Sequence, residues 1–275
     1  MLRVFRCCSY WVKNLFSIRT GFRPYGGHGC IKNIQLEKLR TLLQFCWDEV
    51  PFYRELWVSH GVKSPSISSV EDIARFPAIT KGQLRDGLKR GLFINVSDWS
   101  GGFSWQETTG STGEPFRYPQ ETDLLRKKRA VSLRTQSWTG FRPGDVYVRL
   151  WRGDVVPSLR TRIVQTLTGV YTISIYDPVN VQASTLSQAR LHEIFCRLSE
   201  LRPAVIDGFV SALVLLAAHM KKNKLSVTWP LKAIVTGAEV LTDDDRKIVE
   251  EGFGVGVFNR YGETESSILA HECAH

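Results

Sequence analysis

Short apolar runs alternate with longer segments of helical spacing through the carboxyl-terminal half of this 275-residue chain. A run of four to six apolar residues is typical of a buried strand, whereas apolar residues every three or four positions indicate a helix. Strands separated by helices of this length are joined by right-handed crossovers, so the pattern predicts an α/β fold with helices around a mostly parallel sheet. The predicted strands are 146–151, 204–206, 232–236 and 255–258, and the predicted helices are 122–137, 183–200, 209–221 and 242–252.

Helices, a loop and a strand are predicted in the amino-terminal half. A helix over residues 35–60 is interrupted at Pro51, because proline lacks the amide hydrogen that a helix interior requires. A Ser/Pro loop leads into a short helix with acidic residues in its first turn. Residues 103–118 are predicted to form a strand and a loop.

Positive charge is concentrated at the amino terminus. Of the formal net charge of +9, six charges fall within residues 1–36, which contain no Asp or Glu. The rest of the chain is nearly balanced, so a nucleic-acid partner is not expected. Because the basic segment also holds aromatic and aliphatic residues, two interpretations stay open: an amphipathic segment on an anionic membrane surface, or a terminal helix packed on the main domain.

Composition and cysteine usage indicate an ordinary globular protein. The chain is 43% hydrophobic and 23% charged, and its six cysteines lack the spacing of a disulfide framework. No apolar run reaches the ~18 residues that cross a bilayer. The sequence therefore predicts a cytoplasmic protein, in which residues 1–36 are the candidate for peripheral contact at the inner membrane surface, and it leaves the oligomeric state open.

A run rich in glycine and hydroxyl side chains precedes the α/β pattern, with the sequence Thr108-Thr109-Gly110-Ser111-Thr112-Gly113-Glu114-Pro115. Glycine lets the backbone approach an anion closely, and the amide and hydroxyl groups donate hydrogen bonds without bulk. A polyphosphate fits such a loop, although an ordinary surface loop has the same composition. The Gly-Lys-Ser/Thr ending of a Walker loop is missing.

Two further motifs follow predicted strands, and they read Thr236-Gly237-Ala238-Glu239 and Tyr261-Gly262-Glu263-Thr264-Glu265. Ligands of open α/β sheets bind at the carboxyl ends of the strands. Tyr261 offers a flat face for a purine, and Gly262 allows close approach. Thr264 offers a hydroxyl to a phosphate, and Glu265 offers an oxygen ligand to Mg²⁺. An ordinary polar turn with a solvated Glu265 is the alternative.

The order and spacing of the three motifs resemble those of the adenylate-forming, or acyl-activating, enzymes. Other segments resemble the phenylacetate-CoA ligase branch of that superfamily, including its relatives associated with capsular polysaccharide biosynthesis, from about residue 15 to the end. These segments are Val50-Pro51-Phe52-Tyr53-Arg54, Phe76-Pro77-Ala78-Ile79-Thr80-Lys81, Gly208-Phe209-Val210-Ser211-Ala212-Leu213, Arg23-Pro24-Tyr25-Gly26-Gly27 and His271-Glu272-Cys273.

The resemblance implies that residues 37–275 form part of the large amino-terminal domain of the adenylate-forming fold, without the small mobile domain that follows it. It implies ATP and Mg²⁺ as cofactors and coenzyme A as co-substrate. Thr264 and Glu265 are implied in catalysis, Glu265 as the metal ligand, and residues 208–213 as the border of the acyl pocket. The implied nucleotide contacts are Thr108, Thr109, Gly110, Ser111, Thr112, Gly113, Gly237, Ala238, Glu239, Tyr261, Gly262 and Thr264.

Two departures from the family pattern matter. Glu114 places a carboxylate where the family often has lysine, and like charges ~4 Å apart cost about 4 kcal/mol at an effective dielectric constant near 20. Phosphate contact is therefore assigned to the loop backbone, Thr109, Ser111 and Thr112. The chain also stops ten residues after Glu265, which indicates a fragment or a natural truncation.

His271, Cys273 and His275 alternate near the end of the chain and would share one face of a strand. Zinc is a candidate metal ion for such a set of ligands, although two-residue spacing is unusual for a structural zinc site. A strand end without metal is the favoured interpretation.

The resemblance implies an AMP-forming ligase that activates a small-molecule carboxylate with ATP and transfers the acyl group to a thiol, with coenzyme A as the acceptor. Little complete turnover is expected from the 275-residue chain alone, because the mobile domain is missing. Two alternatives remain: a non-catalytic nucleotide-binding relic, and a membrane-surface scaffold in cell-envelope polysaccharide biosynthesis.

Overall fold

The computed structural model describes residues 28–93, 102–107, 116–151, 157–176 and 186–273. The chain divides into two compact units, one within Phe22–Leu125 and the other within Arg126–His275. Most of the basic segment 1–36 lies outside the described residues, so its extent and its membrane contact stay predictions. In the described part of the chain, no helix is both long and apolar enough to span a bilayer.

The first unit is mainly helical. Its core is built on Leu43, Trp57 and Ile67. Pro51 occupies the first turn of a new helix, where its missing amide hydrogen costs nothing. The elements are α1 (His28–Glu49), α2 (Pro51–Ser59), a 3₁₀ helix (Val70–Arg75), α3 (Lys81–Lys89), and an antiparallel hairpin of β1 (Phe103–Glu107) and β2 (Arg117–Glu121). Helix α4 (Thr122–Trp138) follows in the chain.

The second unit is built on a six-stranded sheet in the order β4-β3-β5-β6-β7-β8. The first five strands in that order are parallel, and β8 is antiparallel to β7. The strands are β3 (Tyr147–Trp151), β4 (Val170–Ser174), β5 (Val205–Gly208), β6 (Ala233–Thr236), β7 (Val257–Glu263) and β8 (Ser267–His271). The remaining helices are α5 (Leu159–Thr168), α6 (Gln188–Leu201), α7 (Val210–Lys222) and α8 (Asp243–Phe253).

Capping residues set the ends of α8. The Thr242 hydroxyl accepts a hydrogen bond from the Asp245 amide at 3.1 Å, and three aspartates fill the first turn, where the helix dipole favours negative charge. At the other end, Gly254 adopts a left-handed conformation with φ of 72°, which glycine adopts without steric cost. The predicted start of this helix at Thr242 is confirmed.

Side chains alternate between two faces of this sheet. The helix-covered face carries Val148, Leu150, Ile206 and Ile234, which pack against apolar residues of α6, α7 and α8. The opposite face is called here the mixed face, because an apolar cluster of Tyr147, Val205 and Val235 with Phe141 gives way to charged residues towards the carboxyl ends of the strands. Both β5 and β6 are buried along their whole length, which explains their nearly continuous apolar sequences.

Some elements differ from the sequence-based expectation. Helix α1 begins at His28, before the expected residue 35, and α3, α5, β4 and β8 were not expected. The strand expected at 255–258 begins at Val257 and runs on to Glu263. Tyr261 and Gly262 therefore lie within β7, and not in a loop after it, because pairing with β8 extends the strand.

Candidate nucleotide site at the carboxyl ends of β6 and β7

The sheet brings two of the predicted motifs together. Strands β6 and β7 are parallel, with Thr236 paired to Asn259, so both motifs lie at the same edge of the sheet. Residues 237–239 leave β6 directly after Thr236, beside the stretch of β7 that contains Tyr261. This edge is where open α/β sheets bind their ligands.

Gly237 packs closely against Arg260 where the chain leaves β6. A Cβ atom at this position would lie 3.3 Å from both Nε and Nη2 of Arg260, a closer approach than side chains normally tolerate. The next residue, Ala238, has a φ of +68°, a left-handed conformation that is unfavourable for a residue with a side chain. The turn is therefore tightly packed and locally strained, and strain of this kind clusters at functional sites.

Glu239 joins the turn to helix α7 through two hydrogen bonds. Its carboxylate accepts a hydrogen bond from the Ser211 amide at 2.7 Å and another from the Ser211 hydroxyl at 2.9 Å. Ser211 lies in the first turn of α7, where unpaired amide groups and the helix dipole both favour a carboxylate. The contact joins the turn to residues 208–213, which the sequence assigns to the border of the acyl pocket.

Tyr261 is 69% exposed at this edge. Because side chains alternate along a strand, it points away from the mixed face that Arg260 faces. The ring is therefore available to a flat ligand. The hairpin beyond it has an irregular register between Tyr261 and Gly262, and a Cβ atom on Gly262 would overlap the carbonyl oxygen of Ser267.

Thr264 and Glu265 lie in the turn between β7 and β8, and Lys128 of α4 contacts that turn. The Lys128 ammonium donates a hydrogen bond to the Thr264 carbonyl oxygen at 2.6 Å. Burial lowers the pKa of Lys128, while the nearby carboxylates of Glu265 and Glu263 act in the opposite direction. The turn thus combines two carboxylates with a cation, and Lys128 was not expected from the sequence.

A charged cluster that the sequence analysis missed lies on the mixed face. Asp207 of β5 is 1% exposed, and its two carboxylate oxygens accept hydrogen bonds from Nη1 and Nη2 of Arg260, each at 2.9 Å. The Tyr147 hydroxyl donates to Asp207 at 3.0 Å, and Arg149 Nε lies 3.9 Å away. Burial, followed by the charge of Asp207, raises the pKa of the Tyr147 hydroxyl well above its usual value.

The loop with the first motif lies outside the described residues. Residues 108–115 join β1 to β2, so the predicted contacts of Thr108, Thr109, Gly110, Ser111, Thr112 and Gly113 stay predictions.

Metal ligation was predicted at Glu265 alone, with zinc at His271, Cys273 and His275 as a weaker possibility. Within the described ranges, no three His, Cys, Asp or Glu side chains form a group that could hold a metal ion. His275 lies beyond those ranges. Glu265 is partly buried, and one carboxylate that completes its shell with phosphate oxygens and water is a usual Mg²⁺ arrangement. The donor set therefore fits magnesium bound together with a nucleotide.

A cavity of about 670 Å³ lies in the first unit, between α1 and the loop at residues 65–67. Arg40, Gln44 and Asp48 line it, together with Ser66. None of the predicted site residues contributes to this cavity. The candidate site is therefore assigned to the motifs at the sheet edge.

Known proteins of related sequence include acyl-CoA ligases. The chain is 27% identical over 237 residues to phenylacetate-coenzyme A ligase of Thermus thermophilus, covering 86% of this chain and 50% of that protein. It is 25% identical over 237 residues to the Pseudomonas putida protein of the same name, with coverage of 86% and 51%. Protein CapK of Staphylococcus aureus is 21% identical over 243 residues, with coverage of 85% and 50%. The chain thus spans about half the length of these relatives. No family model matches the chain.

Solved structures show the same fold. The chain superposes on 2-hydroxyisobutyryl-CoA ligase in its postadenylation state, in complex with 2-HIB-AMP, with a TM-score of 0.69 and 20% identity, covering 90% of this chain and 52% of that one. An open conformation of that ligase in complex with 2-HIB-AMP and CoA gives a TM-score of 0.67 and 19% identity, with coverage of 89% and 53%. The α/β fold is therefore that of the amino-terminal part of adenylate-forming enzymes, and the resemblance of this chain to their phenylacetate-CoA ligase branch is confirmed.

Proposed function

We propose that this chain supplies the nucleotide-binding part of an AMP-forming ligase, which activates a small-molecule carboxylate with ATP and passes the acyl group to coenzyme A. One observation carries the proposal. The Gly237 turn and the exposed Tyr261 ring lie side by side at the carboxyl edge of a parallel sheet. The similarity to phenylacetate-CoA ligases and to a ligase crystallised with an acyl-adenylate supports the same function.

The proposed roles of Tyr261 and the Gly237 turn rest on this geometry, and those of Thr264, Glu265 and the glycine-rich loop rest on the family resemblance. Tyr261 stacks on the purine, and Gly237 lets the turn pack closely against Arg260 beside the ring. The hydroxyl of Thr264 and the glycine-rich loop at residues 108–113 donate hydrogen bonds to the phosphates. Glu265 holds Mg²⁺, which neutralises charge on the phosphate oxygens.

Chemistry of this kind depends on alignment and charge compensation. A carboxylate oxygen of the substrate attacks the α-phosphorus of ATP, and the bond to pyrophosphate breaks. A thiol then attacks the acyl carbonyl carbon, and AMP leaves. The protein has little covalent work to do, so its contribution is to hold the carboxylate in line with the α-phosphate and to exclude competing geometries. We assign residues 208–213, which Ser211 and Glu239 join to the turn, to the border of the acyl group.

Binding of Mg²⁺-ATP to the 275-residue chain tests the nucleotide site. Substituting Tyr261→Ala is expected to weaken binding about tenfold or more, because stacking of a base on an aromatic ring contributes about 1–3 kcal/mol. The matched control is Tyr176→Ala. Tyr176 is 43% exposed and follows β4, four strands away from β7, so its removal is expected to leave the affinity unchanged.

The outcomes separate the rival functions. Equilibrium dialysis that detects no ATP binding by the unsubstituted chain, or an equal loss in both tyrosine variants, would refute the nucleotide site. Anionic-liposome binding in the absence of ATP binding would favour the scaffold. Carboxylate-dependent exchange of pyrophosphate into ATP, measured in a longer protein that includes this chain and lost on Glu265→Ala, would support the ligase over a relic.

A further inference from the structure

An ion pair crosses the sheet directly beneath the candidate site. Strand β6 lies between β5 and β7, so the Asp207 and Arg260 side chains meet across it on the mixed face. Neighbouring strands are about 4.8 Å apart, and the pair therefore spans roughly 10 Å of sheet. Both contacts are 2.9 Å long and form a fork, which fixes the orientation of the guanidinium as well as its position.

Packing stability alone does not explain these charges. Two buried ions lose their hydration, and well-packed apolar residues in their place are often as stable or more so. Two further groups interact with the same carboxylate, since the Tyr147 hydroxyl donates to it and Arg149 lies near it. Burial opposes the charge on Arg260, but Asp207 raises the pKa of the guanidinium above its usual value, so Arg260 stays charged.

The orientation of Arg260 has a direct consequence for both motifs. Its guanidinium lies against Gly237, where a Cβ atom would come within 3.3 Å of Nε and Nη2. The following residue in β7 is Tyr261. Arg260 therefore contacts Gly237, the first residue of the turn, and directly precedes Tyr261 in the chain.

We propose that Asp207 and Arg260 are the positioning pair of the nucleotide site. They do not touch the nucleotide; they hold the Gly237 turn and Tyr261 at the separation that a purine requires. The inference rests on the proposed function, because it assumes that ATP binds between these two elements. If the fork is lost, Arg260 turns away from Gly237 and the turn relaxes towards the space that the base occupies.

The same sheet offers a matched control at its opposite edge. Lys232 precedes β6 and Asp145 precedes β3, and their charged atoms are 2.6 Å apart. This pair also bridges an intervening strand, β5, and Asp145 is 9% exposed. It matches the Asp207–Arg260 pair in charge and in span, with a single contact in place of a fork, and it lies at the amino edge, away from the candidate site.

The test compares Asp207→Asn with Asp145→Asn in the 275-residue chain. Both substitutions are expected to lower the thermal midpoint. Only Asp207→Asn is expected to raise the dissociation constant of Mg²⁺-ATP, by tenfold or more at a temperature where both variants are folded. Hydrogen exchange of the amides at residues 237–239, without nucleotide, is expected to quicken in Asp207→Asn and not in Asp145→Asn.

Arg260→Lys keeps the charge and loses the fork, and it covers the case in which Asp207→Asn does not fold. We expect it to weaken ATP binding at least threefold with a smaller change in the thermal midpoint. Equal effects of the two Asn variants on the ATP dissociation constant, or unchanged affinity in Arg260→Lys, would overturn the positioning role while ATP binding by the unsubstituted chain upholds the proposed function. Failure of the unsubstituted chain to bind ATP would overturn both.

Discussion

The two faces of the six-stranded sheet differ in composition along the direction of the strands. On the helix-covered face, Val148, Leu150, Ile206 and Ile234 continue one apolar surface from end to end. On the mixed face, the apolar cluster stops and buried charges follow. Packing accounts for the first face in full, whereas the charges at the end of the second face need a reason beyond packing. The change coincides with the edge that carries the Gly237 turn and Tyr261.

The largest expected effect is a loss of stability without a loss of ATP binding, when a side chain packed on the helix-covered face is truncated. Leu198 of α6 is fully buried, and Leu198→Ala removes packing that the surrounding side chains cannot fully restore. A loss of about 2–5 kcal/mol in the free energy of unfolding is expected. Urea denaturation measures this loss, and equilibrium dialysis of the folded variant is expected to show unchanged ATP affinity. A tenfold weaker affinity would remove the distinction between the two faces.

A smaller effect concerns the pH dependence of stability next to the mixed face. His271 of β8 is paired in register with Arg260, and its ring contacts Trp138 and Phe258. Burial, with a smaller contribution from Arg260, lowers the pKa of His271 below its usual 6.5, although the carbonyl oxygen of Glu272 acts in the opposite direction.

The lowered pKa of His271 determines how stability changes with pH. The unfolded chain takes up the proton first as the pH falls, so the stability from neutral His271 is complete above about pH 6.5 and declines as the pH falls towards the lowered pKa. His271→Gln is expected to reduce this decline, measured as the free energy of unfolding between pH 7.5 and about pH 5. His219, whose pKa burial also lowers, is present in both proteins and cancels from the difference. An identical pH slope in the two proteins would contradict the assignment.

Patterns local in sequence predicted much of the second unit. The apolar runs that became β3, β5 and β6 are long enough to indicate buried strands, and Thr242 with its following aspartates marks a helix start. Strand β4 was missed because its threonine and serine dilute the apolar signal. The β7–β8 hairpin was missed because the glycine in β7 looks like a turn residue, whereas it sits at an irregularity within the strand pair.

The candidate site was predicted only in part, because some of its residues are brought together only by the strand order. Gly237 and Tyr261 are recognisable within short motifs, and a parallel sheet brings such motifs to one edge. Asp207 and Arg260 are 53 residues apart, and only the strand order places their side chains on the same face. Lys128 lies in a helix with several other cations, so nothing in the sequence distinguishes the one that contacts the Thr264 turn.

The central claim is that ATP binds where the Gly237 turn meets Tyr261, and nuclear magnetic resonance of the chain labelled with ¹⁵N-glycine tests it most directly. Gly237 and Gly262 lie in the two motifs, whereas Gly169 and Gly254 precede β4 and β7 at the opposite edge of the sheet. Saturation with Mg²⁺-ATP is predicted to shift the amide signals of Gly237 and Gly262 and to leave those of Gly169 and Gly254 in place. Unmoved signals at Gly237 and Gly262 under saturating nucleotide would contradict the account.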